Sequence, residues 1–273
     1  MMPVSLSHDG ERHWNRRTSR TEWLRFAGWL ALVMLFIFTW RVMTQDTIWA
    51  FVLDAPRQAA DIGSRMWPPR WSYMSALWKP LWDTINMATL GTLLAVILAV
   101  PVAFLTARNT TPSVVFIRPV ALLVIVSSRS INALIWALLL VTILGPGVLA
   151  GVIAIALRSV GFIAKLLYEA IEEINIEPVE AIRATGASAP QVLAWGIWPQ
   201  ITPAFAGISV FRWDINIREA TVLGLVGAGG IGVNLESSMN TLAWPQVTLI
   251  LIVILATVIV SEWVSAKIRH ALL

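Results

Sequence analysis

The 273-residue chain has no cysteine, which excludes disulfides and thiolate metal sites. Charge is scarce: Asp, Glu, Lys and Arg make up 13% of residues, against roughly 25% in soluble domains. No G-x-x-x-x-G-K-[ST] stretch occurs, so this chain lacks a loop to cradle nucleotide phosphates. Histidines are few, and His8, His13 and His270 lie near the termini without metal-ligand spacing. No nucleophile–base constellation is visible, so no catalytic residue and no metal ligand is assigned. One apparent motif fails its context. "VLGLVGAGGIG" (222–232) places Gly227, Gly229 and Gly232 as G-x-G-x-x-G. A dinucleotide-binding turn needs an acidic residue about 20 positions further on. That position falls in "TLILIVILATVIV", which has no acid.

What the chain does contain is apolar surface. Hydrophobic residues make up 57% of it, with 15 tryptophans and a mean hydropathy of +0.73. Such a chain has no polar shell to face water and reads as an integral membrane protein. Tryptophan favours the headgroup level of a bilayer. The net charge of +4 is spread along the loops with no dense basic patch, so nucleic acid is not an expected partner.

Spans of about 20 apolar residues are needed to cross a bilayer. Candidates are "FAGWLALVMLFIFTW" (26–40), Thr84–Ala107 with Pro101 expected to kink it, and Pro119–Leu144 interrupted by Arg129. After the "GPG" turn (145–147) come "VLAGVIAIALRSVGFIAKLL", Ile197–Trp213 and Pro245–Trp263. The expectation is an all-α integral membrane protein of about six transmembrane helices. The first span lacks a small-residue cleavage site after it and reads as a retained anchor.

Orientation follows the positive-inside rule. With the N-terminus inside, the cytoplasmic side receives Arg12, Arg16, Arg17, Arg20, Arg25, Arg108, Arg118, Lys165, Arg183, Lys267 and Arg269, against Arg41, Arg57, Arg65, Arg70 and Lys79 outside. Both termini are therefore expected in the cytoplasm of a bacterial cell. The division is a basic segment 1–25 and a transmembrane domain 26–273, with an outer loop 44–80 lying on the membrane surface and a cytoplasmic loop 177–199.

That cytoplasmic loop, "EPVEAIRATGASAPQVLAWGIWPQ" (177–200), is the most informative stretch. Pro178 suits the first turn of a helix, and Glu177 and Glu180 complement its N-terminal dipole. Gly186 reads as its C-cap, and Ser188 with Gln191 as the capping box of a second short helix. "EAIRATG" followed by "WP" resembles the EAA motif, E-A-A-x-x-x-G-x9-I-x-L-P, of permease subunits of ABC importers. Glu180, Ala181, Gly186 and Pro199 are in register, while Ile182, Gly196 and Trp198 depart from the pattern. The resemblance implies the type I importer permease (methionine-importer-like) fold, with this loop docking on a separate ATPase. ATP and Mg²⁺ would then bind the two cytoplasmic ATPase subunits, with no cofactor on this chain.

Three further stretches, "SSRSINALIWALLLV" (127–141), "GVLAGVIAIALRSVGFIAKLLYEAIEEI" (147–174) and "FRWDINIREATVLGLVGAGGIG" (211–232), resemble the permease of phosphonate/phosphite importers. The resemblance implies uptake of a phosphonate, phosphite or related phosphorus oxyanion from an external binding protein. One chain has too few helices to enclose a path, so a second copy of the permease is expected across a two-fold axis in the lipid bilayer. An importer of another solute, such as methionine, is the alternative, followed by an ion-gradient-driven secondary transporter.

Charges at membrane depth are costly and face protein or a water-filled cavity. Arg129 beside Ser127, together with Arg212, Asp214 and Arg218, are the candidates for a cationic path. Arg158 reads as a cross-helix partner. A structural ion-pair cluster of Arg212, Asp214, Arg218 and Glu219 at the outer end of the fifth span is the competing reading. Gly227, Gly229, Gly230 and Gly232 are assigned to close packing and gating between the fifth and sixth spans.

Overall fold

A computed structural model describes residues 4–6, 12–14 and 19–272 of the protein. His8, Arg16 and Arg17 of the expected basic N-terminal segment lie outside the described residues. The chain divides into two units, Met1–Asp61 and Ile62–Leu273.

In the first unit, two three-residue strands, β1 (Val4–Leu6) and β2 (Arg12–Trp14), pair antiparallel with Ser5 opposite His13. They are the exception to an otherwise helical architecture among the described residues. Helix α1 (Ser19–Thr44) extends the first expected span at both ends. Its apolar residues surround the axis, as for a membrane-spanning helix. Helix α2 (Trp49–Met66) begins in this unit, and its 18 residues segregate into apolar and charged faces. The stretch expected as an outer loop thus holds an amphipathic helix.

The second unit is built on α3 (Met74–Thr106), which runs on through Pro80 and Pro101. It begins ten residues before the expected start at Thr84, because Trp78, Lys79, Trp82 and Asp83 continue the helix beyond the purely apolar stretch. Its broadest packing is with α6 (Val148–Glu172). Along α3 every fourth residue, Gly91, Ala95, Ala99 and Ala103, is small and buried, the pattern that lets helix backbones approach in lipid. The approach is close. A Cβ on Gly91 would lie 2.7 Å from the Ile155 side chain, and one on Gly161 would lie 2.6 Å from the carbonyl oxygen of Ile125.

Between these two helices lie α4 (Ile117–Ser130) and α5 (Ala133–Leu144), bent by 88° at the break. At 1.5 Å per residue they are about 21 and 18 Å long, so neither crosses a bilayer alone. The third expected span is a broken one, and it breaks directly after Arg129. Asn132 caps α5, its Oδ1 accepting from the Leu134 N–H at 3.3 Å.

After α6 come α7 (Ile176–Ala184) and α8 (Ala189–Val192). A π-helical turn over Leu193–Ile197 leads into α9 (Trp198–Leu223). A 3-10 turn over Gly224–Val226, α10 (Ile231–Asn240) and α11 (Trp244–Leu272) complete the chain. Helix α9 runs ten residues past the expected end at Trp213, so the charged residues 212–219 lie within the helix rather than beyond it. Hydropathy alone misplaces that end because the charges pair along α9 itself, Arg212 with Glu219 and Asp214 with Arg218, with Arg158 of α6 adding a further partner to Glu219. Among the described residues four helices are long and apolar enough to span, or up to six if each bent pair counts as one. That range contains the expected count.

The glycine segment forms a compact turn against the "GPG" hairpin. The Gly147 N–H donates to the Gly227 carbonyl at 3.0 Å, and the Ile231 N–H donates to Thr84 Oγ1 at 2.8 Å. Gly230 has φ 74° and ψ −166°, a region essentially reserved for glycine. A Cβ there would also lie 2.6 Å from Thr84 Oγ1. Gly230→Ala is therefore expected to destabilise the protein by about 1–3 kcal/mol, read as a lower melting temperature of the detergent-purified permease.

Candidate functional site

Two constructions stand out, an exposed helical hairpin at residues 175–200 and a polar cluster inside the bundle.

The hairpin is closed at its base by Gln200. Its Oε1 accepts from the Asn175 N–H at 3.0 Å, and its Nε2 donates to the Gly196 carbonyl at 2.7 Å. Asn175 Oδ1 caps α7 by accepting from the Glu177 N–H at 3.0 Å. Gly186 follows α7 with φ +81°, the left-handed conformation that ends helices. Gln191 Oε1 accepts from the Ser188 N–H at 2.8 Å, one arm of the expected capping box. Val179 is buried while Glu180, Ala181, Gly186 and Pro199 are all exposed. Glu180 makes no hydrogen bond or ion pair among the described residues.

The structure accounts for one departure from the EAA pattern. Gly196 is buried against α7, and a Cβ there would lie 3.4 Å from the Val179 Cα and from Ile182 Cδ1. The Ile slot is thus occupied by side chains arriving from α7. The second short helix differs from expectation, because α8 does not stop: the π-turn carries it into α9. Such turns recur at functional positions in helices, and here the turn joins the hairpin mechanically to the helix that bears the charges.

In the polar cluster, Arg212, Asn216 and Glu219 share one face of α9. The Arg212 side chain is only 3% exposed. Its Nε donates to Ser159 Oγ at 2.9 Å, a terminal nitrogen pairs with Glu219 at 3.2 Å, and the guanidinium lies 5.1 Å from the centre of the Phe162 ring. Ser159 Oγ donates to Asn216 Oδ1 at 3.1 Å, and Asn216 Nδ2 donates to Thr92 Oγ1 at 2.7 Å. The chain of bonds thereby ties α6, α9 and α3. Glu219 also pairs with Arg158 at 3.4 Å, and Arg158 donates to Asn132 Oδ1 at 2.9 Å. On another face of α9, Asp214 pairs with Arg218 and accepts from Ser261 Oγ of α11 at 2.8 Å.

The structure therefore builds a polar network in two separate parts, Arg212 with Glu219 and Arg158 on one face of α9 and Asp214 with Arg218 on another. It leaves Arg129 and Ser127 outside that network. Both are exposed at the end of α4 and have no hydrogen bond or ion pair among the described residues. The neighbouring Ser128 instead joins α4 to α6, donating to the Leu157 carbonyl and accepting from the Gly161 N–H at 2.9 Å. Sequence reasoning did not single out Asn132, Ser159, Phe162, Asn216 or Ser261. The available signal was a polar residue inside an apolar helical stretch, strongest for Asn216 between charged neighbours.

Residues 99–269 match the family described as the binding-protein-dependent transport system inner membrane component. The chain belongs to this family. It is 38% identical over 249 residues, 90% of each chain, to the phosphite transport system permease protein PtxC of Stutzerimonas stutzeri. It is 40% identical over 228 residues to the phosphate-import permease protein PhnE of Mycolicibacterium smegmatis, covering 84% of this chain and 43% of that protein. Its fold is shared with a chain of the inward-facing MetNI methionine ABC transporter, at TM-score 0.65 and 19% identity, over 75% of this chain and 99% of that one. The chain is an ABC importer permease, a multi-pass inner-membrane component and not an enzyme. ATPase and binding-protein partners are typical of assemblies with this fold.

Arg212→Ala would leave Glu219 with the partly exposed Arg158 as its remaining ion-pair partner, remove the bond to Ser159 and open a void beside Phe162. A loss of about 3–5 kcal/mol is expected, seen as failure to recover monodisperse permease in detergent. Arg129→Ala, which removes no such contact, is expected to leave recovery and melting unchanged.

Proposed function

We propose that the permease imports a phosphorus oxyanion such as phosphonate or phosphite. An external binding protein delivers the solute, and two ATPase subunits docked on two copies of the chain drive transport. The observation that carries this reading is the hairpin 175–200. It presents Glu180, Ala181 and Gly186 outward on a helix tethered by Val179, Gly196 and Gln200. A short, anchored helix transmits a rigid-body push, and the π-turn passes it into α9 and so to residues 212–219. ATP binding closes the ATPases and rocks the two membrane halves outward, after which the loaded binding protein releases its anion. The turn Gly227–Gly232, wedged between Thr84 and the start of α6, acts as the packed pivot and gate beside the path.

Two further observations support the oxyanion. Relatives named for phosphite and phosphate uptake share 38% and 40% identity with the chain over most of its length. Within the bundle, arginines outnumber carboxylates, and guanidinium binds phosphoryl oxygens in a fork. Resemblance to a methionine transporter at 19% identity concerns the fold alone.

Glu180→Lys is expected to leave the permease folded while reducing ATPase co-purification and phosphite uptake by about tenfold or more, a loss of roughly 1.4 kcal/mol or greater in docking. Unchanged uptake would remove Glu180 from the coupling contact. Arg129→Ala is expected to lower phosphite uptake in proteoliposomes without loss of assembly. Normal uptake would confine Arg129 to a peripheral role, and uptake of methionine but not phosphite by the wild type would overturn the substrate reading.

A further inference from the structure

A cavity of about 360 Å³ opens where α4 breaks into α5, lined by Asn132, Leu134, Arg158, Arg218, Glu219 and Val222 among others. Arg158 lies ten residues into α6, about 15 Å along the helix, or half of a roughly 30 Å hydrocarbon core. Three features coincide there. Non-helical backbone at 131–132 sits at membrane depth, where it survives only in protein or beside a water-filled cavity. Two arginine side chains line the same space, 31% and 48% exposed. The ion pairs join three guanidiniums, Arg158, Arg212 and Arg218, to two carboxylates, Asp214 and Glu219, leaving one positive charge in excess. An uncompensated cation at this depth is costly, and an anion entering the cavity would remove that cost.

The three arginines differ in availability. Arg212 is enclosed by Ser159, Phe162 and Glu219, so it holds the wall in place. Arg158 meets Glu219 at 3.4 Å, longer than its 2.9 Å bond to Asn132, and remains open on the cavity side. Glu219 is also held by Arg212, so it can yield Arg158 without losing all of its partners.

We propose that this cavity is a transit site for the phosphorus oxyanion, with Arg158 and Arg218 as its cationic walls and Glu219 as the counter-ion that the anion displaces from Arg158. The proposal rests on the oxyanion reading above. Competition with Glu219 and Asp214 keeps the site weak, which onward movement requires: a solute in transit must be able to leave as well as enter.

The absence of cysteine makes the test direct. Val222→Cys places a single thiol of this chain on the cavity wall, and its labelling is followed on the permease within the complete transporter in proteoliposomes. An anionic thiosulfonate is expected to react about tenfold faster than a cationic one of similar size, and millimolar phosphite, but not methionine, to slow it. Adding Arg158→Gln should equalise the two reagents, and Arg158→Lys should restore the preference in part. Arg158→Gln should also lower phosphite uptake while ATPase activity stimulated by the loaded binding protein persists; a purely structural role would lower both together. Adding Glu219→Gln should shift half-protection to lower phosphite, and an unchanged value overturns its counter-ion role. If Arg158→Gln fails to assemble, Val222→Cys in the otherwise unaltered chain still decides the matter. Equal rates for both reagents with no protection by phosphite, from a wild type that takes up phosphite, overturn the site alone. Failure of the wild type to take up phosphite, phosphate or an alkylphosphonate overturns the oxyanion reading and the site with it.

Discussion

Residues 212–219 of α9 carry two arginines and two carboxylates within an apolar bundle, where each needs a partner fixed in place. Taking such ions out of water is repaid only when geometry and additional hydrogen bonds are good. The bundle is arranged around that demand. Arg212 and Asn216 engage Ser159 and Thr92 on α6 and α3, while Asp214 engages Ser261 on α11. Because 212, 216 and 219 recur at helical spacing and 214 and 218 fall on another face, one helix is held from both sides. Its rotation or register could not change without breaking the bonds to Ser159, Thr92 and Ser261 and the pair with Arg158.

Those bonds demand that the helices approach closely, and the small residues of the core make this possible. Gly91, Ala95, Ala99 and Ala103 of α3 are small and buried, Gly91 lies against Ile155 of α6, Gly151 of α6 lies against Met87 of α3, and Gly161 of α6 lies against Ile125 and Ser128 of α4. Without a hydrophobic drive between helices in lipid, van der Waals contact and interhelical hydrogen bonds carry association. A side chain on Gly224 or Gly232 would strike the backbone of the other. The turn therefore anchors the end of α9, just as the Gln200 bonds anchor its beginning. Between these ends α9 is one continuous helical run with the π-turn, with the exposed hairpin at one end and the charged residues toward the other. In the coupling role proposed above, that run is the lever.

Membrane class, the helical hairpin at "GPG" and the local form of the loop 177–199 were legible in the sequence. They depend on composition, on hydrophobic run length and on short-range capping between residues a few positions apart, such as Ser188 with Gln191 and Gly186 after α7. Within Gly227–Gly232 the structure leaves no room for a Cβ at Gly230 or Gly232, whereas at Gly227 the nearest neighbour would be at 3.5 Å.

Partnership across helices was not legible. Thr92 and Asn216 are 124 positions apart, Asp214 and Ser261 are 47, and Ser159 and Arg212 are 53. No local pattern specifies which polar residue in an apolar helix will meet which. The end of α9 was misplaced as well. A hydropathy profile treats Arg212 and Asp214 as exits from the membrane, whereas Glu219 and Arg218 of the same helix pair with them and hydroxyls on α6 and α11 hydrogen-bond to them, which lets the helix continue. The 88° break between α4 and α5 was likewise hidden within an apolar stretch. Local chemistry determines which segments become helices and which face carries charge. Only the packing of distant segments decided which charges are buried in pairs and which face an open cavity, because desolvation depends on what surrounds a group in space.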